Sequence, residues 1–283
     1  MARTKTQASL QTIALAEKLL SATFGSGIRL DAGDDLGGSN RSLVYRFHVL
    51  DRPGATPSSV IVKLAHSTAD AVYQPDSPTI PAWTFFNDWA SLQFLSQLPN
   101  DVKLAPQFYC GDRASGMFIM EDLGSGQRLD QLLLGNDPAA AESALIEYAA
   151  IHGRLHALTI GMGETFRHLR EKLGPVRSDT DYYDYTWLAP TLHDTAKLLD
   201  IKLAAGADAE LATLMTSMLD PGPFLTFNQG DSCPDNCLYV NSALPDEAKL
   251  ETQPGLQLLD FEGGMFRHAL LEGVYGRMHF PTC

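Results

Sequence analysis

The chain has 283 residues, 45% of them hydrophobic and 19% charged, with 13 Phe, 9 Tyr and 3 Trp. That is enough apolar material for a globular core, and it excludes a disordered polymer. The net charge of −13 argues against non-specific nucleic-acid binding, and no apolar run reaches the ~18 residues of a membrane span. The N-terminus lacks an apolar stretch of signal-peptide length, so a soluble, cytoplasmic protein is expected.

The charge is unevenly spread. Residues 1–120 are neutral overall, with 10 Lys and Arg against 10 Asp and Glu, so the whole excess lies in residues 121–283. An acidic half can favour a cationic substrate through its field, or it can simply keep the surface soluble. Four cysteines, Cys110, Cys233, Cys237 and Cys283, are too few for a disulfide framework in a chain of this length and show no CxxC pair. Reduced thiols are expected.

In chain order, residues 8–22 place Leu10, Ile13, Ala16, Leu19 and Leu20 at helical spacing, with Gly25 as a stop. Residues 43–50 and 59–65 read as strands joined by a turn-rich segment, which makes a β-hairpin. Residues 82–97 read as a helix, and 107–110 and 116–120 as strands. Beyond EDLGSG the pattern becomes helical, at 138–158, 187–204 and 207–219. Short strands are expected at 224–227, 238–240 and 256–259. A β-rich front and a helical back predict an α+β protein with two lobes.

The most informative segment is Gly230-Asp231-Ser232-Cys233-Pro234-Asp235-Asn236, between two apolar strands. An Asp followed five positions later by an Asn suits phosphoryl transfer: the Asp takes a hydroxyl proton and the Asn carbonyl oxygen ligates Mg²⁺. An Asp and an Asn flanking a Pro also make a plain turn. Asp260 ends an apolar strand 24 residues beyond Asn236, where a hairpin would return it beside that loop. Two hard oxygen ligands close together are what Mg²⁺ requires. Lys63 follows Val60-Ile61-Val62 and can hold nucleotide phosphates, with Asp88 on the next helix as its partner; a snorkelling lysine and a solvated aspartate are the plainer alternatives. Gly37 and Gly38 precede Ser39 and Asn40, and glycine there permits close backbone approach to phosphates.

Together these residues resemble the aminoglycoside phosphotransferase and choline-kinase-like family, a branch of the protein-kinase-like fold. The residues that carry the likeness are QGDSCPDN at 229–236, Met120-Glu121-Asp122-Leu123, Gly153-Arg154-Leu155-His156 and Asp260-Phe261-Glu262. The resemblance implies a small β-rich N-terminal nucleotide-binding lobe over 1–120, a hinge at 121–124 and a mainly helical C-terminal lobe over 125–283. It further implies ATP and Mg²⁺ as cofactors, and a hydroxyl of a small molecule as acceptor, an amino sugar or other cationic alcohol being the first guess. By it Asp231 is the catalytic base, Asn236 and Asp260 bind magnesium, and Lys63 holds phosphates with Asp88. Ser39 and Asn40 lie over the phosphates, and the backbone around Glu121 and Leu123 receives the adenine. His156 is read as structural, packing its helix under the loop. The chain departs from the family pattern in Gln229 for His, in Asp88 for Glu, and in the 21 residues that follow Glu262, which suggest a shortened C-terminus. The alternative reading is a nucleotide-binding pseudokinase or inactive relative.

Overall fold

The computed structural model describes residues 8–25, 27–38, 41–51, 56–68, 70–99, 103–176, 187–240 and 255–278. Helix α1 (Leu10–Phe24) opens on Ser9, whose hydroxyl accepts from Thr12 N at 3.1 Å, and stops where Gly25 takes φ +108°. It buries Ala16 and Leu20 and lies against the first sheet. That sheet has six strands: β1 (Arg29–Leu30), β2 (Asp34–Gly38), β3 (Ser42–Asp51), β4 (Ser59–Ala65), β5 (Phe108–Asp112) and β6 (Met117–Glu121). The order is β1-β3-β4-β6-β5, with β2 also paired to β3, and every pairing is antiparallel. Val60 and Val62 of β4 are fully buried against α1 and the sheet's own apolar residues, while Lys63 sits on the opposite face, in register with Val44 and Phe118.

Helix α2 (Ala82–Leu95) is buried at every residue but Gln93, because it runs between the sheet and the helices beyond it. Its partner in that second layer is α5 (Gly163–Leu173), which sends Arg170 inward: Arg170 Nε donates to Asn87 Oδ1 at 2.7 Å, and its guanidinium lies 5.7 Å from the Phe86 ring centroid. Burial pulls the Arg170 pKa down to about 10. The remaining strands form two small sheets. One is β7 (Gly126–Arg128), β9 (Cys237–Val240) and β10 (Gly255–Leu258) in the order β10-β9-β7; the other pairs β8 (Leu225–Asn228) with β11 (Met265–His268). The helices around them are α3 (Leu129–Leu133), α4 (Pro138–Thr159), α6 (Leu188–Leu198), α7 (Ala207–Leu219), α8 (Leu270–Gly273) and α9 (Tyr275–Met278). Asp137 caps α4 by accepting from Ala139 N and Ala140 N, and Pro138 takes the first helical position.

The α+β, two-lobed arrangement expected from the sequence is the one observed, including the β3–β4 hairpin and the helix over 207–219. Three details differ. The helix expected over 187–204 ends at Leu198, and Asp200 follows with φ +52°. Helix α5 escaped the reading because its buried stripe is only Phe166, Arg170 and Leu173, and one of the three is charged. The short strands β1, β2, β7 and β11 carry too few residues to show a period.

An aromatic cluster joins the second layer to the small sheets. Phe227 is fully buried with Phe94, Phe166, Phe261 and Phe266 around it at centroid distances of 5.1–6.3 Å. Phe227→Ala should therefore cost about 3–5 kcal/mol of folding stability, read as a lower melting temperature with near-native secondary structure below it.

Candidate active site

Lys63 is the centre of the site. Its Nζ donates to Asp88 Oδ2 at 2.7 Å and to Asp260 Oδ1 at 2.9 Å, with the lysine and Asp88 side chains almost wholly out of water. Burial opposes the ammonium charge, but the two carboxylates outweigh it and raise the Lys63 pKa above its ordinary value. The other Asp88 oxygen accepts from Phe261 N at 2.9 Å. One aspartate on α2 thus ties β4 to the 260–262 segment. Asp260 stands at φ +55°, a left-handed conformation that an L-residue adopts at a cost, and its side chain keeps 40% exposure.

The 229–236 loop meets that segment edge to edge. Strands β9 and β10 pair with Leu258 opposite Cys237, and Leu259 N donates to Asn236 O at 2.8 Å, so Asp260 follows directly beside Asn236. Asn236 Nδ2 donates to Asp231 O at 3.0 Å and to Asp231 Oδ2 at 3.2 Å. Those bonds commit its nitrogen, so a cation would be met by the amide oxygen. Asp231 is half-buried; burial, then the charges of Asp260 and Asp235, push its pKa up, against the Asn236 hydrogen bond and the charge of Arg41. A Cβ on Gly230, which has φ +93°, would stand 2.0 Å from Gly263 O, so the two loops touch through backbone alone.

Gln229, immediately before Gly230, makes contacts that tie this loop to its neighbours. Its Nε2 donates to Leu259 O at 2.6 Å and to Asn236 O at 3.2 Å, and its Oε1 contacts His152 Nε2 at 3.4 Å. The loop's backbone is held by residues that the sequence reading did not single out. Glu272 on α8, only 2% exposed, accepts from Gln229 N, from Gly230 N at 3.2 Å, from Ser232 Oγ at 2.8 Å and from His156 Nε2 at 2.8 Å. Tyr148 and Tyr275 donate their hydroxyls to Ser232 O and Gly230 O. A lone acid in the apolar run ALLEGVY was the available signal for Glu272. His156, expected to pack α4 under the loop, does so through this carboxylate.

The other residues named from the sequence lie further off or beyond view. Glu121 ends β6 three residues past Phe118, the partner of Lys63; it is buried, and its carboxylate accepts from Lys103 Nζ and from Gln107 N. Leu123 is buried two residues on. Between them Asp122 takes a two-pronged ion pair from Arg46 of β3 at 2.7 and 2.9 Å. Ser39 and Asn40 lie outside the described residues. Gly38 before them has φ +134°, and a Cβ there would meet Ser42 O at 2.2 Å, so the β2–β3 turn requires glycine. Cys233 is disulfide-bonded, which corrects the expectation of reduced thiols; a count of four argues against a framework of bridges, not against a single one. Cys110 and Cys237 are free.

Among the described residues no group of three or more His, Cys, Asp or Glu is placed to hold a metal, and no helix is long and apolar enough to cross a membrane. Asn236 and Asp260 nonetheless fit Mg²⁺, which is commonly held by one or two protein oxygens and completed by phosphate and water.

No protein-family model matches the chain, and no curated protein matches it. Its structure matches solved structures of small-molecule kinases. The GDP complex of an aminoglycoside 2′-phosphotransferase mutant is 17% identical, with 93% of this chain and 76% of that one covered at a TM-score of 0.49. A choline kinase from Cryptosporidium parvum Iowa II is 13% identical, with 91% and 65% covered at 0.44. A choline kinase from Streptococcus pneumoniae is 14% identical, with 91% and 72% covered at 0.45.

Glu272 gives a testable consequence. Burial alone would raise its pKa, but the His156 hydrogen bond, the charges of His152 and His156 and the Ser232 hydroxyl hold it below the usual 4.5. A carboxyl with a depressed folded pKa contributes stability above its unfolded pKa, and that contribution fades as pH falls through the folded value. Glu272→Gln should lower stability by roughly 3 kcal/mol at neutral pH. Melting curves over a pH series should show the gap from the wild type narrowing below pH 4.5.

Proposed function

We propose that the protein transfers the γ-phosphate of ATP to a hydroxyl of a small molecule, with Asp231 as the base, in a site made by residues 1–120, the 121–124 hinge and residues 125–283. The observation that carries the reading is the convergence of Lys63, Asp88, Asp231, Asn236 and Asp260 from four separate parts of the chain. A turn aspartate or a snorkelling lysine would have no reason to meet there.

In this mechanism Lys63, held by Asp88, pairs with nucleotide phosphates and gives up part of its contact with Asp260 to do so. Mg²⁺ held by Asn236 and Asp260 would neutralise charge on those phosphates. Asp231 accepts the proton of the attacking hydroxyl as that oxygen closes on the γ-phosphorus, and Asn236 fixes the carboxylate's orientation. The backbone from Glu121 to Leu123 receives the adenine, and Ser39 and Asn40 cover the phosphates. The acidic second half, net −13 over residues 121–283, favours an amino sugar or another cationic alcohol as acceptor. The contacts of Gln229 favour an active enzyme over an inactive relative, because they support the loop where the family pattern has His.

The test is thermal stability with and without Mg·ATP, followed by an ADP-release screen over amines, amino sugars and other alcohols. Ligand at ~100 times Kd should stabilise the fold by roughly 2.7 kcal/mol. Asp260→Asn should lose the metal-dependent part of that shift. Asp231→Asn should keep the shift and lose turnover by about 10²–10⁴. A well-folded wild type that shows no shift sinks the reading.

The pH dependence carries a sign. The base must be deprotonated, so turnover should rise with pH, through an inflection above the 3.8 of an ordinary aspartate. Asp235→Asn removes one of the charges that raise the Asp231 pKa. Its acid limb should move to lower pH in a profile of kcat/KM.

A further inference from the structure

Arg41 stands immediately before β3, and its backbone is anchored to the stretch that follows β4. Arg41 O accepts from His66 N at 2.8 Å, three residues beyond Lys63 on the same stretch of chain. From that anchor the guanidinium crosses to the 260–262 segment, where its Nη2 lies 2.5 Å from Glu262 Oε1. The Arg41 side chain keeps 41% exposure, against 9% for Lys63. Lys63 is enclosed between Asp88 and Asp260, whereas Arg41 pairs with Glu262 at the more exposed edge of the same cluster.

We propose that Arg41 is a ligand of the nucleotide's terminal phosphates, paired with Glu262 when no nucleotide is bound. The inference rests on the phosphotransferase reading and adds to it a residue which that reading did not contain. The Glu262 side chain keeps only 19% exposure against 41% for Arg41, so the guanidinium is the solvent-facing end of the pair and the one that phosphates can reach. A triphosphate offers a denser anion, and the guanidinium fork matches two phosphate oxygens at once. Position selects the terminal phosphates over the α-phosphate: Arg41 is paired to Glu262, two residues beyond Asp260, the residue proposed to hold the magnesium that the terminal phosphates share. A guanidinium there also meets charge that develops on the phosphoryl oxygens during transfer.

The experiment compares calorimetric binding of Mg·ATP and of AMP to the wild type, Arg41→Ala and Arg41→Lys, each checked for a cooperative melt. Arg41→Ala should weaken Mg·ATP by about tenfold or more and leave AMP within about twofold, because the lost hydrogen bonds are charged ones aimed at phosphates that AMP lacks. Arg41→Lys should fall between, having the charge without the fork; if the alanine variant does not fold, the lysine variant carries the same comparison. Equal weakening of both ligands, or of neither, while the wild type binds Mg·ATP would overturn the inference and leave Arg41 with a structural role beside Glu262. A wild type that binds no Mg·ATP would overturn the proposed function itself, and this inference with it.

Discussion

An ammonium held out of water needs carboxylates around it, and Lys63 finds them on two different parts of the chain. Asp88 comes from α2 and Asp260 from the segment after β10, so neutralising one lysine draws the sheet, the buried helix and the second half of the protein to one point. Asp88 then accepts from Phe261 N, which leaves little freedom in how the 260–262 segment approaches. Removing one partner of such a cluster strands a charge in a poorly solvated place, which is why the arrangement specifies geometry more than it adds stability.

Around this charge centre the 229–236 loop is held from below and from the side. Glu272 collects two backbone N–H groups and a hydroxyl, while two tyrosines and the Gln229 amide donate to the loop's carbonyls at Ser232, Gly230 and Asn236. A loop between strands has no ladder to satisfy its polar groups, and buried ones must be paired by something. Here side chains from α4, α8 and α9 do what a strand neighbour does elsewhere.

Legibility in the sequence followed the range of the interaction. The apolar runs at 43–50 and 59–65 are local, period-bearing signals, and the hairpin they predict is present. Asp231, Asn236 and Asp260 could be singled out because their spacing matches a recognisable motif, and the β9–β10 pairing brings the last beside the others. Glu272 and Arg41 were not, since each is a single charged residue whose meaning lies in a partner far along the chain. Arg170 was hidden for the same reason: a basic residue on a short helix reads as surface until Asn87 and Phe86 are seen around it.

The contact between Gly230 and Gly263 has a consequence for how such a protein can change. No side chain separates the two loops, so no series of graded substitutions exists there; the smallest step from glycine already places an atom 2.0 Å from a backbone oxygen. Helices α6 and α7, by contrast, bury only Ala196 between them. Variation is therefore all-or-none where the loops meet and nearly free along those helices. A lineage built on this chain can alter what it presents to solvent many times over while the join at its centre stays as it is.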